Sequence, residues 1–130
     1  MGTRSLTFVY SDGAPVVCMY RQFDGYPTGH GHDLAEFLSQ FEAITNGIRV
    51  GDTRKIANGM GCLAAQMVGA FKTEAGGFYL YPTNTKDAGQ EYEYRVYEDR
   101  VEVKETWDNK RIFKGTWAEF TDFCKAKVVA

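Results

Sequence analysis

The densest collection of hydrogen-bonding and titratable side chains lies between residues 21 and 32, where Arg21, Gln22, Asp24, Tyr26, Thr28, His30 and His32 alternate with Gly25, Pro27, Gly29 and Gly31. So many glycines beside a proline exclude a regular element and predict a loop whose backbone turns sharply. Leu34, Phe37, Leu38 and Phe41 follow at helical spacing, with Asp33 and Glu36 in the first turn, so the loop runs into a helix. Unpaired amides and the positive end of the helix dipole would then face the loop, which suits a phosphate or a carboxylate. Arg21 offers a matching cation, and Tyr20 or Tyr26 a ring to stack on a base. The competing reading is a plain turn at residues 24–27 whose glycines serve chain geometry.

Asn58, Gly59, Met60 and Gly61 repeat the theme, because Leu63, Met67 and Phe71 again recur at helical spacing. If both helices lie on one side of a sheet, their starts could converge on a single pocket. The candidate ligand-binding set is then Arg21, Gln22, Asp24, Tyr26, Gly29, His30, Gly31 and His32 from the first loop, with Asn58, Gly59 and Gly61 from the second. Close backbone packing at Gly59 and Gly61 is the alternative.

His30 and His32 could share a metal only if locally extended, with a third ligand from Asp24, Asp33 or Cys18. A histidine could also move protons near neutral pH. However, there is no Gly-x-Ser-x-Gly elbow and no obvious carboxylate pair, so no catalytic residue, metal or cofactor is expected.

The elements that must position these loops read clearly. Residues 5–10 and 16–21 are β-branched and aromatic, separated by the turn signal Ser11-Asp12-Gly13, and predict a hairpin of strands apolar on both faces. The first helix should end near Asn46-Gly47, the second near Gly76-Gly77. From Phe78 the period changes to two: residues 78–82, 91–98, 100–107 and 111–114 predict a four-stranded antiparallel meander, with residues 82–89 as a long hairpin turn. Thr116 and Glu119 form a capping-box pattern ahead of a closing helix lined by Trp117, Phe120 and Cys124. The expected fold is therefore a single α+β domain over residues 1–130, a mainly antiparallel sheet of about six strands with two to three helices, in the order ββ-α-α-ββββ-α.

Composition narrows the function classes. The 130 residues are 44% hydrophobic and 25% charged, ordinary for one globular domain. A net charge of −2 lacks the basic footprint of a duplex-binding protein, and Lys110, Arg111 and Lys114 read as solvated surface. Cys18, Cys62 and Cys124 are too far apart for a zinc or redox motif and suggest buried thiols in a reducing compartment. No apolar leader and no run of about 20 apolar residues is visible, so the expectation is a cytoplasmic protein with no membrane partner.

The strings Gly2-Thr3-Arg4-Ser5-Leu6-Thr7, Met19-Tyr20-Arg21-Gln22-Phe23-Asp24-Gly25-Tyr26-Pro27-Thr28-Gly29-His30-Gly31, Asn58-Gly59-Met60-Gly61-Cys62-Leu63-Ala64 and Tyr79-Leu80-Tyr81-Pro82 resemble a group of small proteins, with no assigned activity, from tailed phages and prophage-bearing bacteria. The resemblance extends to about Tyr97. It implies a virus-associated accessory protein acting in a host bacterial cytoplasm, a setting in which small binders inhibit host defence or sequester nucleotide signals. The functional expectation is a non-enzymatic protein that holds a small anionic ligand, for example a nucleotide, in the two glycine-rich loops. Alternatives are an interaction module for a host or viral protein, a homo-oligomer, and a small histidine-dependent hydrolase or transferase.

Overall fold

The computed structural model describes residues 2–129. In chain order its elements are β1 (Ser5–Ser11), β2 (Ala14–Arg21), α1 (His32–Ser39), β3 (Ala43–Thr45), β4 (Ile56–Asn58), α2 (Gly59–Phe71), β5 (Phe78–Tyr81), β6 (Tyr92–Val96), β7 (Val101–Glu105), β8 (Lys110–Gly115) and α3 (Trp117–Val129). Asp12 and Gly13, with φ of 53° and 81°, close the two-residue hairpin between β1 and β2, the geometry that suits strand twist.

The six-stranded sheet has the order β5-β2-β1-β6-β7-β8, and β3 pairs with β4 in a small separate ladder. The α+β architecture is as the sequence predicts. β1 is central because it is apolar on both faces. Val9 points to the helices, among Met19, Tyr94, Val96, Leu38, Leu63, Met67 and Phe120, whereas Leu6, Phe8 and Cys18 form a second cluster on the opposite face.

That second cluster explains the main departure from the expected topology. Residues 82–91 do not form a hairpin turn; they cross the second face, where Ala88 packs on Leu6, Phe8 and Cys18. Arg4 holds the end of this crossing, since both its backbone N–H and its guanidinium donate to Glu91. β5 therefore lies at the far edge beside β2, and the antiparallel meander comprises only β6, β7 and β8. β6 consequently runs parallel to β1.

α1 ends at Ser39, well before Asn46-Gly47, yet Phe41 stays in the core edge-to-face with Phe37, ring centroids 5.1 Å apart. The residues beyond it are drawn into β3 by the parallel pairing with β4. The capping box forms as expected: Glu119 N–H donates to Thr116 Oγ1 at 3.1 Å, and Thr116 N–H donates to Glu119 Oε1 at 2.8 Å. All three cysteines are free, and burial pushes the thiols of Cys18 and Cys124 up to about 11 and about 12. Among the described residues no helix is long and apolar enough to cross a membrane.

Phe120 is fully buried against Tyr94 and Phe113. Phe120→Ala should lower unfolding free energy by about 3–5 kcal/mol. Thr116→Ala, which removes one cap bond at an exposed helix start, should lower it by only about 1 kcal/mol. Urea unfolding monitored by circular dichroism reads both.

Candidate functional site

The 21–32 loop is tied down by its own backbone. Gly25 N–H donates to Thr3 O at 2.8 Å, and the Tyr94 hydroxyl donates to Gly25 O at 2.7 Å. His30 N–H donates to Asp24 O at 2.7 Å, and Gly29 N–H to Tyr26 O at 2.9 Å. Pro27–Gly31 form a wide helical turn that continues directly into α1, where the His32 N–H bonds back to Gly29 and Pro27 carbonyls. The amides that an anion would need are thus already engaged. Gly25 serves close approach: a Cβ there would stand 2.8 Å from the carbonyl carbon of Arg4.

His30 is fully buried, which neither spacing nor residue type indicated. Its Nε2 lies 2.7 Å from Thr7 Oγ1 and its Nδ1 lies 3.3 Å from Arg21 Nη1. A guanidinium only donates, so Nδ1 accepts and the ring proton sits on Nε2, directed at Thr7. The ring also packs against Tyr94 and Phe71, centroids at 5.0 and 5.6 Å. Burial, followed by the charge of Arg21, takes the imidazole pKa down to about 3.

Arg21 is equally committed. Nη1 also donates to Asp33 Oδ2 at 2.8 Å, and the guanidinium lies over the Phe78 ring. His32 faces outward beside Asp33 and Glu36, with Nδ1 3.6 Å from Glu36 Oε2. The two histidines therefore occupy unlike environments, and His30 has no free nitrogen. Tyr26 donates to Asp24 Oδ1 at 3.0 Å, while Gln22 is half-buried and anchors β5 through its N–H to Gly77 O. Among the described residues no three His, Cys, Asp or Glu side chains are placed to share a metal ion.

The two glycine-rich loops do not meet. β1 pairs Ser5 with Arg21 at one end and Ser11 with Ala14 at the other. Asn58, Gly59 and Gly61 belong to the Ser11 end, about 20 Å from the 21–32 loop, the span of a seven-residue strand. The convergence that the sequence left open does not occur, because α2 runs the length of the sheet and its last residue, Phe71, and not its start, touches His30.

At that far end lies a groove of about 480 Å³ between the β1–β2 turn, the β6–β7 turn and the start of α2. Gly59, with φ of 80°, passes the chain from β4 into α2 without an intervening residue. No side chain caps the helix, because Asn58 Oδ1 accepts instead from Gly47 N–H at 2.7 Å. A Cβ at Gly61 would meet nothing within 4 Å. First-turn amides of α2 have no intrahelical acceptor, and Gly59 and Met60 of that turn line the groove.

Across from them Tyr10 and Tyr97 stack, centroids 4.5 Å apart, and the Arg100 guanidinium covers Tyr97 at 3.7 Å. Arg100 donates to Glu102 at 2.9 Å and to Asp99 at 3.1 Å. Asp12 and Glu98 add carboxylates to the rim. Sequence reasoning missed Tyr10, Asp12, Tyr97 and Arg100. They meet because β1 and β6 are parallel neighbours whose carboxyl ends finish together, a pairing that no local signal announces.

Compared with known proteins, the chain matches no family model, no curated protein and no solved structure.

His30 makes a measurable contribution to pH dependence. Its folded pKa lies below the value of the unfolded chain, so the stabilisation it provides is fully present above about pH 6.5 and is lost as pH falls toward 3. Over that interval the wild type should lose up to about 1.4 kcal/mol per pH unit more than His30→Gln does. Equal slopes of unfolding free energy against pH in the two proteins would show that the ring is not held neutral.

Proposed function

We propose that the protein is a non-enzymatic binder of a small ligand bearing one phosphate-like or carboxylate group, nucleotide-sized, held in the groove at the start of α2. The observation that carries this reading is the uncapped first turn of a 13-residue helix, whose Gly59 and Met60 line a cavity of about 480 Å³. That volume falls within the range of about 300–1,000 Å³ usual for small-molecule sites. The anion would sit on the α2 amides, where the helix dipole favours it. The carboxylates of Asp12 and Glu98 would accept hydrogen bonds from hydroxyl or amino groups, so a ligand that combines an anionic group with sugar or base donors fits better than a bare anion. Tyr10 and Tyr97 line the groove; with Tyr97 stacked between Tyr10 and Arg100, a base would rest against ring edges and the outer face of Tyr10.

Acid–base work by His30 is disfavoured, because the ring is neutral, doubly hydrogen-bonded and closed to solvent. In the phage setting that the sequence resemblance implies, such a protein would act in the host cytoplasm by holding a nucleotide-like signal out of circulation.

Thermal unfolding against nucleoside mono- and diphosphates, cyclic nucleotides and ADP-ribose tests the reading. A ligand at a hundred times its Kd adds about 2.7 kcal/mol and should raise the midpoint by several degrees. Gly61→Asp supplies the helix with its own carboxylate. It should stabilise the free protein by about 0.3–1 kcal/mol and abolish the ligand shift. A shift that persists in Gly61→Asp places the ligand elsewhere, and a flat response across the panel removes the proposal.

A further inference from the structure

The two edges of the main sheet differ in a way that bears on association. β8 is exposed at Lys110, Arg111 and Lys114, the cationic guard usual for a free edge. β5 carries no charge in Phe78-Tyr79-Leu80-Tyr81, and leaves Leu80 59%, Tyr79 46% and Tyr81 38% exposed. We propose that β5 is a self-association surface, through which two copies of this chain pair antiparallel about a two-fold axis at Leu80.

The backbone accounting selects a second copy as the occupant. The bond from Gln22 N–H to Gly77 O sets the phase of the β2–β5 ladder. In an antiparallel ladder the bonding direction alternates, so Tyr79 and Tyr81 turn their amides and carbonyls to β2, while Phe78 and Leu80 turn theirs outward. Phe78 is already satisfied, since its N–H donates to Gly76 O at 2.9 Å and its carbonyl accepts from Lys72 Nζ at 2.8 Å. Leu80 is the open position. The next outward position is Pro82, which has no N–H to offer.

An antiparallel copy set with Leu80 opposite Leu80 exchanges two N–H···O bonds at the axis. It also places Phe78, which needs no partner, opposite Pro82, which can donate to none. A strand of unrelated sequence would present an unused donor at that place; a second β5 does not. Side chains agree with this register. Tyr79 of each copy faces Tyr81 of the other, extending the stack already formed by Tyr20 with Tyr81 and Tyr79 at 5.0 and 6.0 Å. On the opposite face each Leu80 lies beside a largely apolar groove of about 280 Å³ lined by Met19, Val68, Lys72, Phe78 and Tyr79, so the same patch carries both projection and recess. The four residues of β5 bring no charge against their copies, and the nearby Lys72 ammonium is engaged at the Phe78 and Gly76 carbonyls, whereas β8 against β8 would oppose cations.

Sedimentation velocity across the micromolar range reads the result. The wild type should shift from one chain mass to two with rising concentration, and the Leu80 amide should exchange slowly when concentrated and rapidly when dilute. Leu80→Pro removes the outward N–H at an edge position, where proline is tolerated, and Tyr81→Glu sets a carboxylate against Tyr79 of the second copy. Both should stay folded by circular dichroism and remain monomeric. The proposal is overturned if the wild type stays monomeric throughout, if a dimer survives both substitutions, or if the Leu80 amide exchanges rapidly within the dimer. Capture of a different protein by β5 while the chain itself stays monomeric would also overturn it.

Discussion

A neutral, fully buried imidazole holds the corner of the molecule where its principal elements meet. His30 stands on the turn before α1, bonds to Thr7 of β1 and Arg21 of β2, and packs on Phe71 of α2 and Tyr94 of β6. A leucine of similar volume would fill the space but leave the Thr7 hydroxyl without that partner and an Arg21 donor facing hydrocarbon, each a penalty of about 1–3 kcal/mol. Burial and the adjacent guanidinium both oppose protonation, so the two largest electrostatic influences on the ring act in the same direction. Asp33 then balances Arg21 at the solvent boundary, and the result is a continuous path from Thr7 through His30 and Arg21 to Asp33.

This constraint decides which helix start is open. The polar richness of residues 21–32 is directed inward, and the helical turn at Pro27–Gly31 uses the amides that α1 would otherwise present. α2 begins differently. It follows β4 directly through the positive φ of Gly59, with no preceding turn and no capping side chain. Two loops alike in composition therefore differ in available donors, because one closes a core corner and the other ends a strand.

Much of the fold was legible. Period-two patterns located β6 and β7, helical spacing located α2, and Thr116 with Glu119 announced α3. The Asp12-Gly13 turn fixed the opening hairpin. The strand order was not legible: residues 82–89 read as a polar turn because only Ala88 betrays an apolar contact, and one alanine carries no pattern. Neither was the burial of His30, since a core histidine and a solvent-facing one share a letter and a neighbourhood. The candidate site was half-legible. Gly59 and Gly61 were identified from their place before a helical stretch, whereas Tyr10 and Tyr97, 87 positions apart in the chain, meet only through parallel pairing.

The apolar second face of β1 ties these features together. Leu6 and Phe8 need cover on the side away from the helices, and residues 82–91 supply it by crossing beneath β2 and β1. A segment that crosses in this way cannot return its strand antiparallel to β5; it delivers β6 alongside β1, running the same direction. The parallel pair brings Tyr10 beside Tyr97 and sets the two turns around the start of α2, which makes the groove. The same crossing leaves β5 at the margin with only β2 for a neighbour, so its outward backbone is answered by Lys72 at Phe78 and, among the described residues, by nothing at Leu80. Groove and open edge are thus two consequences of one burial requirement, and a substitution that made Phe8 polar would weaken the reason for both.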